Sequence, residues 1–174
     1  ALLNASIFFD FRQLSGDQSI ARHLRGWLSN EVQGNQRFLR AMAQGALESR
    51  PPLGLFTDFV TSAAEGAPDT LDLKAQGTRP FVDAARIFSL ASGSEETSTA
   101  QRLRVSGERL RVPKAEIEAI VDAFHFILML RLRNQQLDPV HANRIRPDDL
   151  NDLDRRILKE AFRQARKLQS RLAL

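Results

Sequence analysis

Lys74, Thr78, Asp83 and Arg86 fall within one short segment, residues 71–91, LDLKAQGTRPFVDAARIFSLA. Thr78 is placed to cap a helix whose first turn holds Pro80, where a missing N–H costs nothing and the fixed φ suits the helix. That helix is predicted to run to about Ser92, with Gly93 closing it. The extended piece TLDLK feeds Lys74 toward the helix start, where unpaired N–H groups and the positive end of the macrodipole favour an anion. Asp83 and Arg86, three residues apart, share a helix face and can meet. The arrangement suits a phosphate or a carboxylate held by Lys74 and the helix start, with Asp83 and Arg86 positioning or capping it. The same residues also admit a purely structural reading as a loop, a helix cap and a solvated salt bridge.

Three arginines extend this candidate site. The longest predicted helix opens after Pro113 and continues to about Gln136, and its centre, AFHFILML, is apolar on every side, which is the pattern of a helix surrounded by others. Arg131 follows Phe124 by seven residues and Ile120 by eleven, returning to the same stripe within about 20°, and Gln135 follows one turn later. A buried arginine must find a carboxylate, carbonyl groups or a ligand. Arg133 points to the other side, below Phe126 and Met129. Each arginine can serve in a structural ion pair between helices, or can join Lys74 and Arg102 in a basic cavity. His125 is expected to be a packed, hydrogen-bonded core histidine.

Helices account for nearly all of the chain. Asp17 can cap one over about 18–32, with Ile20, Leu24, Trp27 and Leu28 at helical spacing. Gly34 and Asn35 break it and start another to about Glu48. Pro51, Pro52 and Gly54 force a turn, followed by a short helix carrying Phe56, Phe59 and Val60 and a polar loop over 66–70. The serines and threonines at 94–99 can cap a helix through about Ser106. Asn151 can cap the last, from Asp152 to about Leu172, with Leu153, Ile157, Ala161, Ala165, Leu168 and Leu172 in one stripe. At 174 residues the chain suits one domain that buries roughly two thirds of its unfolded surface. It has no cysteine, which excludes disulfides and thiolate zinc sites, and its three histidines are too scattered for a metal centre. No signal peptide and no uncharged run near the roughly 20 residues of a membrane span are present, so a cytoplasmic protein is expected. Residues 1–100 carry 9 basic and 11 acidic side chains, and residues 101–174 carry 16 and 10. Most basic groups are arginines, whose planar fork binds phosphate at two points. The interleaved acids point to salt-bridged helix faces, and nucleic acid is an unlikely partner.

The segments LDLK, Gly77 with Thr78 and VDAAR resemble the signature of the C-terminal substrate-binding domain of the nucleotidyltransferases found with CBS and cyclic-nucleotide-binding domains in bacterial signalling proteins. FFDFR at 8–12, RPPLG at 50–54, Thr99 with Arg102 and Leu103, RLRNQ at 131–135 and the NRI…PDDLNDLDRRILKEAFR run at 143–163 agree with it, so the likeness covers nearly the whole chain. A weaker similarity extends to the protein PII uridylyltransferases and the glutamine synthetase adenylyltransferases. There a Gly pair and an Arg-Asp sequence open the helix. Here Gly77 and Thr78 stand in for the pair, and Pro80 to Val82 separate Arg79 from Asp83.

The alternation of SIFFDFR, Ser6–Arg12, reads as the end of a strand. The resemblance implies that this strand supplies a third metal-binding carboxylate, Asp10, to a catalytic domain whose other two carboxylates and Gly-Ser motif lie upstream. It thereby implies a piece of a longer protein with no catalytic residues of its own. The expected architecture is all-α, a bundle of about six or seven helices, preceded by a remnant strand of the nucleotidyltransferase core. Residues 1–15 form the remnant, and 16–174 the helical substrate-binding domain. The implied role is to bind substrate for nucleoside monophosphate transfer to a protein or a small molecule, with Lys74, Thr78, Asp83, Arg86, Arg102, Arg131 and Arg133 as substrate contacts. The full-length protein is expected to need Mg or Mn and a nucleoside triphosphate. Its partners are the upstream nucleotidyltransferase, CBS and cyclic-nucleotide-binding domains and an acceptor protein. The alternative is a helical protein–protein interaction or dimerisation module with no small-molecule site.

Overall fold

Side-chain caps start three of the α-helices. The computed structural model describes residues 9–11, 13–54, 58–64 and 67–172. Asp17 accepts from the Ser19 N–H at the start of α1 (Gln18–Gln33), and Asn35 accepts from Phe38 at the start of α2 (Gln36–Leu47). A hairpin follows, β1 (Ser62–Ala64) and β2 (Ala67–Asp72), then a π-helical turn (Leu73–Thr78) and α3 (Arg79–Ser92). Gly93, at φ 67°, closes α3 in the left-handed region that glycine adopts without penalty. The chain continues through α4 (Thr99–Arg109), α5 (Lys114–Leu137), β3 (Arg144–Ile145), a 3₁₀ turn (Pro147–Asp149) and α6 (Asp152–Ser170). Asn151 caps α6 by accepting from the Asp154 N–H. The small antiparallel sheet has the order β1-β2-β3, with Leu71 opposite Ile145 and Asp72 opposite Arg144. The fold is predominantly all-α, as the helical periodicities indicate.

The core lies where α3, α5 and α6 meet the end of β2. Leu71, Leu73, Phe81, Ile127, Leu130 and Phe162 are fully buried there. The Phe81 and Phe124 rings meet at a 46° tilt with centroids 5.8 Å apart, and Phe59 meets Phe162 edge-on at 6.0 Å.

Several expectations need correction. Phe59 and Val60 lie in irregular chain, anchored by a bond from the Val60 N–H to the Pro52 carbonyl; Phe56 lies outside the described residues. The segment ending at Thr70 is strand β2, since pairing with β1 and β3 overrides its turn-rich composition; Gly66 is outside the described residues. The expected strand at Ser6–Arg12 is mostly outside them as well, and its Phe9 and Asp10 form a turn. The centre of α5 is covered on one side only: Ile127 and Leu130 are buried, whereas His125, Met129 and Leu132 are exposed. His125 is therefore not a core histidine. The stripes of α1 and α6 also outrun their cover, leaving Ile20, Leu24 and Trp27, and Leu153 at the start of α6, exposed.

The π-helical turn sits against α5 and α6 so closely that position 77 has no room for a side chain. A Cβ there would stand 2.9 Å from Ile127 Cγ2 and 3.7 Å from Phe162 Cε1, both on buried residues. Gly77→Ala is therefore expected to lower the unfolding free energy by about 1–3 kcal/mol through overpacking. Urea denaturation checks this, and a midpoint at or above that of the parent chain contradicts it.

Candidate functional site

The segment LDLKAQGT builds the junction from which the site residues fan out. Asp72, the last residue of β2, turns its carboxylate onto the N–H groups of Lys74 at 2.9 Å and Ala75 at 2.7 Å. It thus occupies the anion position that the helix start offers. Thr78 does not cap α3. It lies in right-handed helical conformation between the π-turn and α3 and makes no side-chain cap bond. Its hydroxyl instead donates to the Lys74 carbonyl at 3.3 Å and accepts from Arg131 Nη1 at 3.3 Å. Arg131 also donates from Nε and Nη2 to Asn143 Oδ1, at 3.2 and 2.8 Å. Arg131 is half-buried, and of the partners the sequence allowed, a carboxylate, carbonyl groups or a ligand, it takes a carbonyl, the Asn143 amide oxygen, together with the Thr78 hydroxyl. Lys74 itself is exposed.

Asp83, Arg86 and Arg102 form a second group, organised by Asp10. Arg86, on α3, donates to Asp10 Oδ2 from Nη2 at 2.5 Å and Nε at 3.2 Å, and to Asp83 Oδ1 from Nη1 at 3.2 Å. Arg79 reaches the other Asp83 oxygen at 3.2 Å. Arg102, buried on α4, places Nη1 2.7 Å from Asp10 Oδ1, a close charge contact, and donates from Nε to the Glu96 carbonyl at 2.6 Å. Burial pushes the Asp10 carboxyl up, but the hydrogen bonds and charges of Arg86 and Arg102 more than offset this and hold it below its ordinary 3.8. Arg25 donates to the neighbouring Phe11 carbonyl at 2.5 Å, and Phe9 packs on Phe38 with ring centroids 5.8 Å apart. Residues 9–11 are thus fastened to α1, α2, α3 and α4.

Asp10 in this setting does not fit a metal ligand. Both carboxylate oxygens face guanidinium groups, which repel a divalent cation, and the described residues contain no group of three His, Asp or Glu able to hold one.

Arg133 belongs to a third place. It pairs with Asp154 at 3.1 Å and borders a cavity of about 360 Å³ between the C-terminal end of α5 and the sheet. Thr70, Asn134, His141, Arg144 and Arg146 also line it. Arg144 knits the sheet, donating to Thr70 Oγ1 and Ser62 Oγ, both at 2.8 Å, while its Nη1 lies 3.8 Å from Asp72. The Asn134 amide donates to the His141 and Arg144 carbonyls. His141 Nδ1 lies 3.0 Å from Asp138 Oδ2, and its backbone N–H donates to Asp138 Oδ1 at 3.1 Å. The hydrogen bonds of His141, first its backbone N–H, depress the Asp138 pKa. Arg144, Arg146, Asn134 and His141 were missed by periodicity, since they sit in a helix end, a two-residue strand and the irregular chain around it, where no apolar repeat marks them. The RLRNQ and NRI segments contain two of these residues, Asn134 and Arg144.

The expected contacts therefore divide. Thr78 bonds Arg131, Asp83 joins Arg86 and Arg102 through Asp10, and Arg133 stands at the cavity. The family model described as "Putative nucleotidyltransferase substrate binding domain" matches residues 36–174, and the chain belongs to that family. No curated protein and no solved structure gives a significant match.

The Asp10 clasp has a pH signature. Because its folded-state pKa is lowered, the stability it contributes is fully present above the ordinary value of 3.8 and is lost as pH falls through the lower folded value. Asp10→Asn is expected to melt below the parent at pH 6, with the gap closing as the pH drops under about 4. Thermal melts of both chains from pH 6 to pH 3 check this. A gap that is absent at pH 6, or that widens in acid, contradicts it.

Proposed function

We propose that this chain is the substrate-recognition and regulatory domain of a bacterial signal-transduction nucleotidyltransferase that transfers a nucleoside monophosphate to a protein or a small molecule. One observation carries the reading: two segments that resemble the family, RLRNQ and the NRI…PDDL run, meet beside strand β2 around a single cavity. β2 contributes Thr70, RLRNQ contributes Arg133 and Asn134, and the NRI…PDDL run contributes Arg144 and Leu150.

In this reading the acceptor enters that cavity. Arg133 and Arg146 meet its polar or anionic face, and His141, oriented by Asp138, offers Nε2 as a hydrogen-bond partner. Lys74, exposed at the π-turn, supplies a further charge to the acceptor. Thr78 and Arg131 brace the turn behind it. Asp83, Arg86 and Arg102 act as positioning residues, holding the Asp10 segment against the helical domain and so fixing the approach of the upstream catalytic domain. The nucleoside triphosphate and Mg or Mn belong to that upstream domain. CBS and cyclic-nucleotide-binding domains supply the signal, and the assembly works in the cytoplasm. No helix of the described residues is long and apolar enough to cross a membrane. The alternative, an interaction module, draws its support from the exposed Ile20, Leu24 and Trp27 of α1.

The test uses the intact parent protein with labelled nucleoside triphosphates, Mg or Mn and cell extract. Label is expected to move to one acceptor, while the 174-residue chain alone transfers none. Arg146→Glu, at an exposed cavity position, should reduce labelling about tenfold or more with an unchanged melting temperature, by repelling an anionic acceptor face. Extract that stays unlabelled, or an Arg146→Glu protein that labels like the parent, refutes the reading.

A further inference from the structure

A second recess lies elsewhere on the molecule and shares no lining residue with the cavity around Arg133. It is a groove of about 640 Å³ between the end of α2, the Pro51–Leu53 turn and the C-terminal part of α6. That size is within the usual small-molecule range of roughly 300–1,000 Å³. One wall is apolar, made by Leu47, Pro51, Pro52, Leu53 and Val60.

Its polar equipment is biased to donors. Arg50 and Arg166 line it and no acidic side chain does. Arg50 is exposed and pairs with no carboxylate among the described residues. Arg166 is held in place by one bond, Nη2 to the Leu53 carbonyl at 3.0 Å, which leaves its other donors and its charge uncompensated. Gln76 uses Oε1 to accept from the Asp72 N–H at 3.1 Å, so its NH₂ group remains as a donor. The carbonyls at the end of α2 would set negative partial charge against an anion. Two that lie there, Ala46 and Ser49, are taken by the Gln169 amide at 3.0 and 2.7 Å.

We propose that this groove binds a phosphate monoester with a flat apolar body, the chemical class of a nucleoside monophosphate. The phosphate lies between Arg50 and Arg166, whose guanidinium forks match its oxygens. The ring system lies on Val60 and Leu53, lining residues that keep exposed surface, whereas Pro51 and Pro52 are buried. The site is independent of the acceptor cavity proposed above, and it adds a nucleotide-responsive position to the helical domain itself.

Calorimetric titration of the chain with AMP, inorganic phosphate and adenosine tests this. AMP is expected to bind saturably, with phosphate alone and adenosine alone each weaker by about tenfold or more, since each lacks one half of the recognition. Arg50→Ala and Arg166→Gln should each weaken AMP by about tenfold, a loss of one charge-assisted contact. Arg163→Ala, an exposed arginine of α6 outside the groove, should leave AMP affinity within about twofold. Circular dichroism and thermal melts verify that the variants stay folded. Absence of saturable AMP binding to the parent chain, equal affinity for phosphate alone, or folded Arg50 and Arg166 variants that bind like the parent would overturn the proposal.

Discussion

The close approach of the Leu73–Thr78 backbone to α5 and α6 is the constraint on which the rest of the structure depends. A glycine at position 77 lets the π-turn lie against Ile127 and Phe162. That contact fixes the sheet on one side of the turn and α3 on the other. The turn also needs its own polar groups met. Asp72 satisfies two N–H groups at its start, and Thr78 and Arg131 tie its end to α5. Because Arg131 also holds Asn143, β3 is brought to the edge of β2 by the same junction. A π-turn is a rare geometry that persists where packing over-determines it, and it is common at functional sites.

Two sets of arginines differ in what they face. Arg86 and Arg102 are turned inward onto Asp10, and removing that carboxylate would leave a half-buried and a buried cation with reduced compensation. They act as structural anchors for the entry segment. Arg50, Arg146 and Arg166 stand at recess edges, exposed, with Arg166 also donating to the Leu53 carbonyl. Charge count alone does not separate these populations. Burial and partner do.

The clasp around Asp10 also changes how the entry segment is understood. A segment held by two ion pairs, a ring contact and a bond from Arg25 keeps a fixed position against the helices, whereas a free chain would not.

Local chemistry was legible from the residues alone. Asp17, Asn35 and Asn151 cap the helices that their side chains predicted, and Gly93 closes α3, because capping depends on neighbours within a few positions. The meeting of Asp83 with Arg86 was likewise a matter of helical spacing. The family was readable from the order of its short segments, although no one of them is specific. What the sequence did not determine was everything set by contact between distant segments. Thr78 looked like a cap, but Asp72 filled that role from the preceding strand. The all-apolar centre of α5 promised full burial, yet the helices available cover one side. Arg102 and Asp10, far apart in sequence, meet only when α4 docks beside α3. The cavity around Arg133 likewise exists only once β3 pairs with β2, since caps and periodicity report the chain within a few residues, and recesses are made by residues that tertiary packing alone brings together.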